Sequence, residues 1–135
     1  MIIRPYQETD EEQTISLWHA CDLVVPKNDP RQDIRDKLLV QRELFLVGLV
    51  DASVIATVMA GYDGHRGWLH RVAVCPRLQR QGLGRQIVQA AEAALTELGC
   101  PKINLQVRAT NQDVIEFYRH LGFEVEDRVT MGKRL

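Results

Sequence analysis

Leu69-His70-Arg71-Val72-Ala73-Val74-Cys75-Pro76-Arg77-Leu78-Gln79-Arg80-Gln81-Gly82-Leu83-Gly84-Arg85 reads as a strand, a glycine loop and the start of a helix. The apolar run from Trp68 to Val74 has strand character, and Pro76 ends it. Glycines let backbone N–H groups converge on a ligand. A helix N-terminus adds positive partial charge, so the combination is a cradle for phosphate. From Gly64 to Ala91 there are five arginines (Arg66, Arg71, Arg77, Arg80, Arg85) and no acid, whereas acids outnumber bases 11 to 6 from Met1 to Asp63. An isolated basic segment in a chain of net charge −1 points to a local anion site.

Outward from this stretch, the pattern predicts a mixed α/β chain. Ile2-Ile3-Arg4 is a first strand, and Thr9 with Glu12 has the form of a capping box for a helix to about Leu23, with Ile15 and Trp18 inward. Asp29 and Pro30 open a second helix to about Arg42. Strands Leu44 to Val50, Val54 to Tyr62 and Trp68 to Val74 form a meander. A long helix from Gly82 to Leu98 places Leu83, Ile87, Ala91, Ala94 and Leu98 on one face. Lys102 to Val107 is a strand, Thr110 to Leu121 a helix, and Phe123 to Val125 and Val129 to Leu135 are two final strands. The expected order is β-α-α-β-β-β-α-β-α-β-β, a mostly antiparallel sheet with about four helices, and one domain over residues 1–135.

Composition narrows the function classes. The hydrophobic fraction of 45% suffices for a core. No apolar run approaches the ~20 residues of a membrane span, and the N-terminus has no signal-peptide pattern. Cys21, Cys75 and Cys100 form no CxxC pair and no zinc spacing, so the expectation is reduced thiols, a cytoplasmic setting and no metal. The chain is too acidic for a nucleic-acid binder, and neither a nucleic acid nor a membrane is expected as a partner.

Three phosphate-binding patterns compete for the loop. A P-loop needs Lys and then Ser or Thr after its second glycine, and this chain has Gly84-Arg85-Gln86. A dinucleotide fold needs a third glycine and a later acid; Ile87 stands at the first position and the region near Asn104 offers no acid. The third pattern, Gln79-x-x-Gly82-x-Gly84, resembles the acetyl-CoA motif of the GNAT N-acetyltransferases, written Q/R-x-x-G-x-G/A. The strand ending Val72-Ala73-Val74-Cys75-Pro76, Asn111 followed by Tyr118, and Gly122-Phe123 extend the resemblance over nearly the whole chain. Asn28-Asp29-Pro30 and the stretch from Gly61 to Gly67 look like the bacterial YpeA-type acetyltransferases.

The resemblance implies an acyltransferase that moves acetyl from acetyl-CoA to a primary amine by direct attack. Val72 and Val74 would offer backbone groups to the pantetheine arm, and the loop of Gln79, Arg80, Gln81, Gly82, Leu83, Gly84 and Arg85 would hold the pyrophosphate. Asn111 would contact pantetheine and Tyr118 would protonate the leaving thiolate; seven residues apart, they fall on one helical face. His70-Arg71-x-Ala73-Val74 resembles serotonin N-acetyltransferases, which implies that His70 relays the amine proton. By strand alternation His70 is expected on the side of Trp68, Val72 and Val74. Asn28, Tyr62 and Asp63 would border the acceptor cleft; Asp63 reads equally as a turn residue before Gly64. No glutamate stands at an obvious base position, so an acyl-CoA-binding or sensing module without turnover is the alternative. The acceptor's identity and a homodimer are left open.

Overall fold

A computed structural model describes residues 1–135 in two compact units, Met1–Leu105 and Gln106–Leu135. In the first unit the elements are β1 (Ile2–Pro5), α1 (Glu11–Ala20), α2 (Pro30–Leu38), β2 (Phe45–Val50), β3 (Ser53–Tyr62), β4 (Gly67–Val74), α3 (Leu83–Glu97) and β5 (Ile103–Leu105). The five strands form one sheet in the order β1-β2-β3-β4-β5. Pairing is antiparallel up to β4, and β5 returns parallel to β4 after the crossover through α3. No helix is long and apolar enough to cross a membrane.

Local chemistry accounts for the boundaries. Asp29 accepts a hydrogen bond from the Arg31 N–H at 2.9 Å, and Pro30 occupies the first turn of α2. The β2–β3 hairpin turns on Asp51 and Ala52, with φ of 49° and 63°, the two left-handed residues of a type I′ turn. At the entry to α1 the expected Thr9–Glu12 box is replaced by a turn of 3-10 helix over Glu8–Asp10. Asp10 is drawn into it because its carboxylate accepts from the Gln7 N–H at 2.9 Å and from Arg4 at 2.7 and 3.0 Å. α2 stops at Leu38, short of Arg42.

The core on one side of the sheet gathers Tyr6, Ile15, Trp18, Ile34, Phe45, Val47, Met59 and Ala73, so α1 and α2 pack there. α3 covers the other side. Its buried residues are Ile87, Val88, Ala91 and Leu95, and Leu98, expected on this face, is exposed because the helix ends before it. The start of β4 comes so close to this layer that a Cβ on Gly67 would meet Cys100 Sγ at 2.8 Å and Leu95 Cδ1 at 3.1 Å.

The second unit contains α4 (Gln112–His120) and the chain to Leu135. The two final strands expected at Phe123–Val125 and Val129–Leu135 are absent. A strand needs a ladder partner and a face to bury, and this segment has neither. It pairs with no strand, and Val125, Val129 and Met131 are 67%, 89% and 90% exposed.

Candidate active site

The register of β3 against β4 breaks between Thr57 and Met59. Thr57 faces Ala73 and Met59 faces His70, so Arg71 and Val72 together oppose Val58. This is a β-bulge, with Arg71 in the left-handed region at φ 52°. Side chains hold it in place. Trp18 Nε1 donates to Thr57 Oγ1 at 2.9 Å, and that hydroxyl donates to the Arg71 carbonyl at 2.8 Å. The Arg71 guanidinium lies over the Trp18 ring, 4.7 Å from its centroid, and bonds the Leu23 carbonyl and the Asp33 carboxylate.

The extra residue resets the alternation of side chains. Residues paired across the ladder share a face, so His70 lies with Met59 and Ala73 on the α1–α2 side. Val72 and Val74 lie on the other side, with Ala56. The expectation that His70 shares a side with Val72 and Val74 is therefore corrected, although Trp68 does share it.

Backbone direction follows the same register. The Cys75 N–H donates to the Ile55 carbonyl at 2.8 Å, so its neighbours Val74 and Val72 turn their backbone groups away from β3. On that outer edge β5 pairs only with Gly67 to Leu69, and no strand covers β4 beyond. The Val74 carbonyl there accepts from Gln79 Nε2 at 3.0 Å and from Cys21 Sγ at 3.3 Å. Gln79 thus folds the loop back against the end of the strand.

Arg80 and Gly82 take positive φ, 65° and 81°, which turns the loop sharply into α3. Gly82 is the N-cap and has no side chain, so no side chain caps α3. The first intrahelical bond runs from the Gln86 N–H to the Gly82 carbonyl, which leaves the N–H groups of Leu83, Gly84 and Arg85 at the open end. A Cβ on Gly82 would meet nothing within 4 Å. The arginine ion pairs of the chain draw on Arg4, Arg31, Arg42, Arg71 and Arg119, so exposed Arg77, Arg80 and Arg85 face solvent around the loop with Gln81. Uncapped donors, flanking cations and open space fit a phosphate ligand.

A cleft of about 480 Å³ opens on the α1–α2 side of the bulge. Its wall from the sheet is Met59, His70 and Arg71, and Leu23 and Asn28 come from the loop between α1 and α2. Asp33 and Asp36 complete it; sequence reasoning missed both, though their i,i+3 spacing marks one face of α2. The cleft therefore brings Asn28 and His70 together. His70 is exposed at the cleft wall, and its imidazole is held below the usual histidine pKa, first by partial desolvation there and then by the charges of Lys37 and Arg71. Tyr62 and Asp63 are not part of its lining. Tyr62 is bonded through its backbone to the Gln41 side chain at 2.8 and 3.0 Å. Asp63 Oδ1 accepts from the His65 and Arg66 N–H groups at 2.8 and 2.7 Å, which makes it a turn residue and lowers its pKa.

In the second unit Asn111 is the N-cap of α4 and accepts from the Val114 N–H at 3.4 Å. It caps the helix, and Tyr118 stands two turns on within it. Tyr118 is 8% exposed, with Phe117 and Phe123 set edge-on at 5.0 and 5.5 Å between centroids. Burial pushes its phenol up to about 12.

A family model described as Acetyltransferase (GNAT) family matches residues 8–123. An acetyltransferase of Yersinia enterocolitica is 43% identical over 135 residues, covering all of this chain and 96% of that protein. The structure of AAC(6')-Iy in complex with the bisubstrate analogue CoA-S-monomethyl-acetylneamine superposes with a TM-score of 0.79 at 18% identity, covering 99% of this chain and 97% of the other. The ribosomal-protein-S18-alanine N-acetyltransferase of Escherichia coli gives 0.75 at 23% identity, over 91% and 77%.

Proposed function

The chain belongs to the GNAT acetyltransferase family and is an acyltransferase, and from that premise we propose that it transfers an acetyl group from acetyl-CoA to a primary amine by direct attack. The observation that carries this reading is the open edge of β4 at Val72 and Val74 running into the uncapped end of α3. An extended pantetheine arm pairs with such an edge as an added strand does. The Val74 carbonyl is already bonded to Gln79 and Cys21, so the N–H groups of Val74 and Val72 are its available donors. The pyrophosphate meets the N–H groups from Arg80 to Arg85. The CoA-containing ligand of one fold neighbour supports a CoA ester as the donor. Acetyl-CoA supplies a thioester carbonyl open to attack by an amine.

The chain's own groups manage two protons. A lysine-like amine has pKa ~10.4, so freeing its lone pair at neutral pH costs about 4.6 kcal/mol at ~1.36 per unit. His70 lines the cleft in a surrounding that favours neutral imidazole, and it accepts the amine's proton, directly or through water. The Tyr118 hydroxyl, protonated at neutral pH, gives its proton to the departing thiolate, and Asn111 contacts pantetheine. The acceptor enters beside Asn28. Asp33 is neutralised by Arg71, so Asp36 is the carboxylate left to attract a cationic acceptor. Tyr62, the last residue of β3, and Asp63, in the turn after it, lie outside the cleft lining and would meet an acceptor only where it extends beyond the cleft. Three unpaired cysteines support a reducing, cytoplasmic setting.

A panel of amines (peptide N-termini, lysine, polyamines, aminoglycosides and amino acids) tests the reading by following CoA release. We expect at least one cationic amine to raise release well above acetyl-CoA hydrolysis. Release that no amine raises would refute amine transfer.

A further inference from the structure

One titratable group near the cleft has no part in the chemistry above. Lys37 stands in the last turn of α2, half-buried, and its Nζ donates to the carbonyl of Ala60. Ala60 and Met59 are the β3 residues that face Leu69 and His70 across the ladder. Gln41 continues the clamp one turn on, bonding the backbone of Tyr62 in both directions. A long, flexible ammonium is thereby fixed against the strand pair at the step where His70 stands. Fixing it there costs solvation, and burial lowers the pKa of Lys37, partly offset by the charge of Glu43.

The charged groups around His70 come from several elements. α2 contributes Asp33, Asp36 and Lys37, and the imidazole's own strand contributes Arg71. Asp33 and Arg71 are paired with each other, and Asp36 accepts from Gln32 at 2.8 Å. The loop between α1 and α2 adds only neutral Leu23 and Asn28, and β3 adds Met59.

We infer that Lys37 is a positioning residue of the acyl-transfer site: its ammonium, pinned on the Ala60 carbonyl beside His70, keeps the imidazole neutral so that it can accept the acceptor's proton. This rests on reading His70 as the base. A fixed cation disfavours imidazolium. It therefore keeps the lone pair free to lower pH and hastens release of the proton to solvent once it has been taken, while making the imidazole a weaker base.

Lys37→Gln removes the charge and keeps an amide donor on a side chain one bond shorter, whereas Lys37→Arg keeps the charge. NMR titration of the His70 ring in the full chain needs no acceptor. We expect its midpoint to rise in Lys37→Gln by about half a unit or more, roughly threefold in proton affinity, and to stay low in Lys37→Arg. The acid limb of kcat/KM should move with it. A His70 midpoint unmoved in a folded Lys37→Gln overturns the inference. A midpoint that moves while the acid limb stays in place overturns both the reading of His70 as base and the catalytic role of Lys37. Amine transfer itself would survive that result, since CoA release reports it separately.

Discussion

Tyr118 shows how burial bears on a proposed proton donor. Its phenol, pushed up to about 12, is protonated throughout the neutral range. Handing its proton to a free thiolate of pKa ~8.5 would be uphill by about 3.5 units, near 5 kcal/mol. The proposed transfer is therefore completed only as the phenolate regains a proton from solvent, and what the hydroxyl would add in the transition state is a hydrogen bond to sulfur as the C–S bond breaks. General acid catalysis of this kind is worth about 10²–10⁴-fold and acts mainly in the transition state. Tyr118→Phe should lower kcat at least thirtyfold, roughly 2 kcal/mol, with acetyl-CoA affinity changed by less than about threefold. Steady-state kinetics with an acceptor from the amine panel, together with calorimetric affinities, check this. Turnover at the wild-type rate would reduce Tyr118 to a packing residue between Phe117 and Phe123.

Among elements, the entry to α3 and the junction of β1 with α1 make separate demands. At the first, Gly82 has φ 81° and open space where a side chain would go. A residue with a Cβ is strained there by about 1–2 kcal/mol, but it collides with nothing in the free protein. Gly82→Val should therefore fold, with a lowered Tm, and bind acetyl-CoA at least tenfold more weakly, about 1.4 kcal/mol. Equal affinities for variant and wild type would remove the loop from the cofactor site. At the second junction, Arg4 first and the Gln7 N–H next hold the Asp10 carboxyl below its ordinary value of 3.8. A depressed carboxylate stabilises the fold above its unfolded pKa, and the contribution fades as pH falls through the folded one. Asp10→Asn should thus cost about 1–3 kcal/mol at pH 7. The difference from wild type should shrink only below about pH 4, which denaturant titrations at several pH values would show.

For the whole molecule, a ligand that binds only the native state raises its stability by about 2.7 kcal/mol at a hundredfold excess over Kd. Acetyl-CoA should raise Tm in a thermal-shift series and ATP should not, because the loop lacks the P-loop lysine. An equal shift with ATP would favour a nucleotide site. Much of this architecture is legible in local signals. The meander, the long helix, the Asp29-Pro30 start of α2 and the glycine loop all follow from short-range patterns, since caps, turns and period depend on neighbours along the chain. The same reasoning over-extends at the C-terminal segment. Alternation at Val129 and Met131 resembles a strand, but a strand is completed only by a partner, and none is present. His70 went to the wrong side for a related cause. Alternation counts residues on one strand, whereas the bulge arises between two, from the Thr57 hydroxyl, itself held by Trp18, gripping the Arg71 carbonyl 14 residues on. Asp33, Asp36 and Lys37 carry no mark in sequence that separates them from an ordinary polar helix face. The sequence by itself determined the elements from β1 to α4 in their order, the glycine loop between β4 and α3, and the family. Only the tertiary structure decided which side chains share the cleft and which backbone edge stays open, because both depend on register and packing between segments distant in the chain.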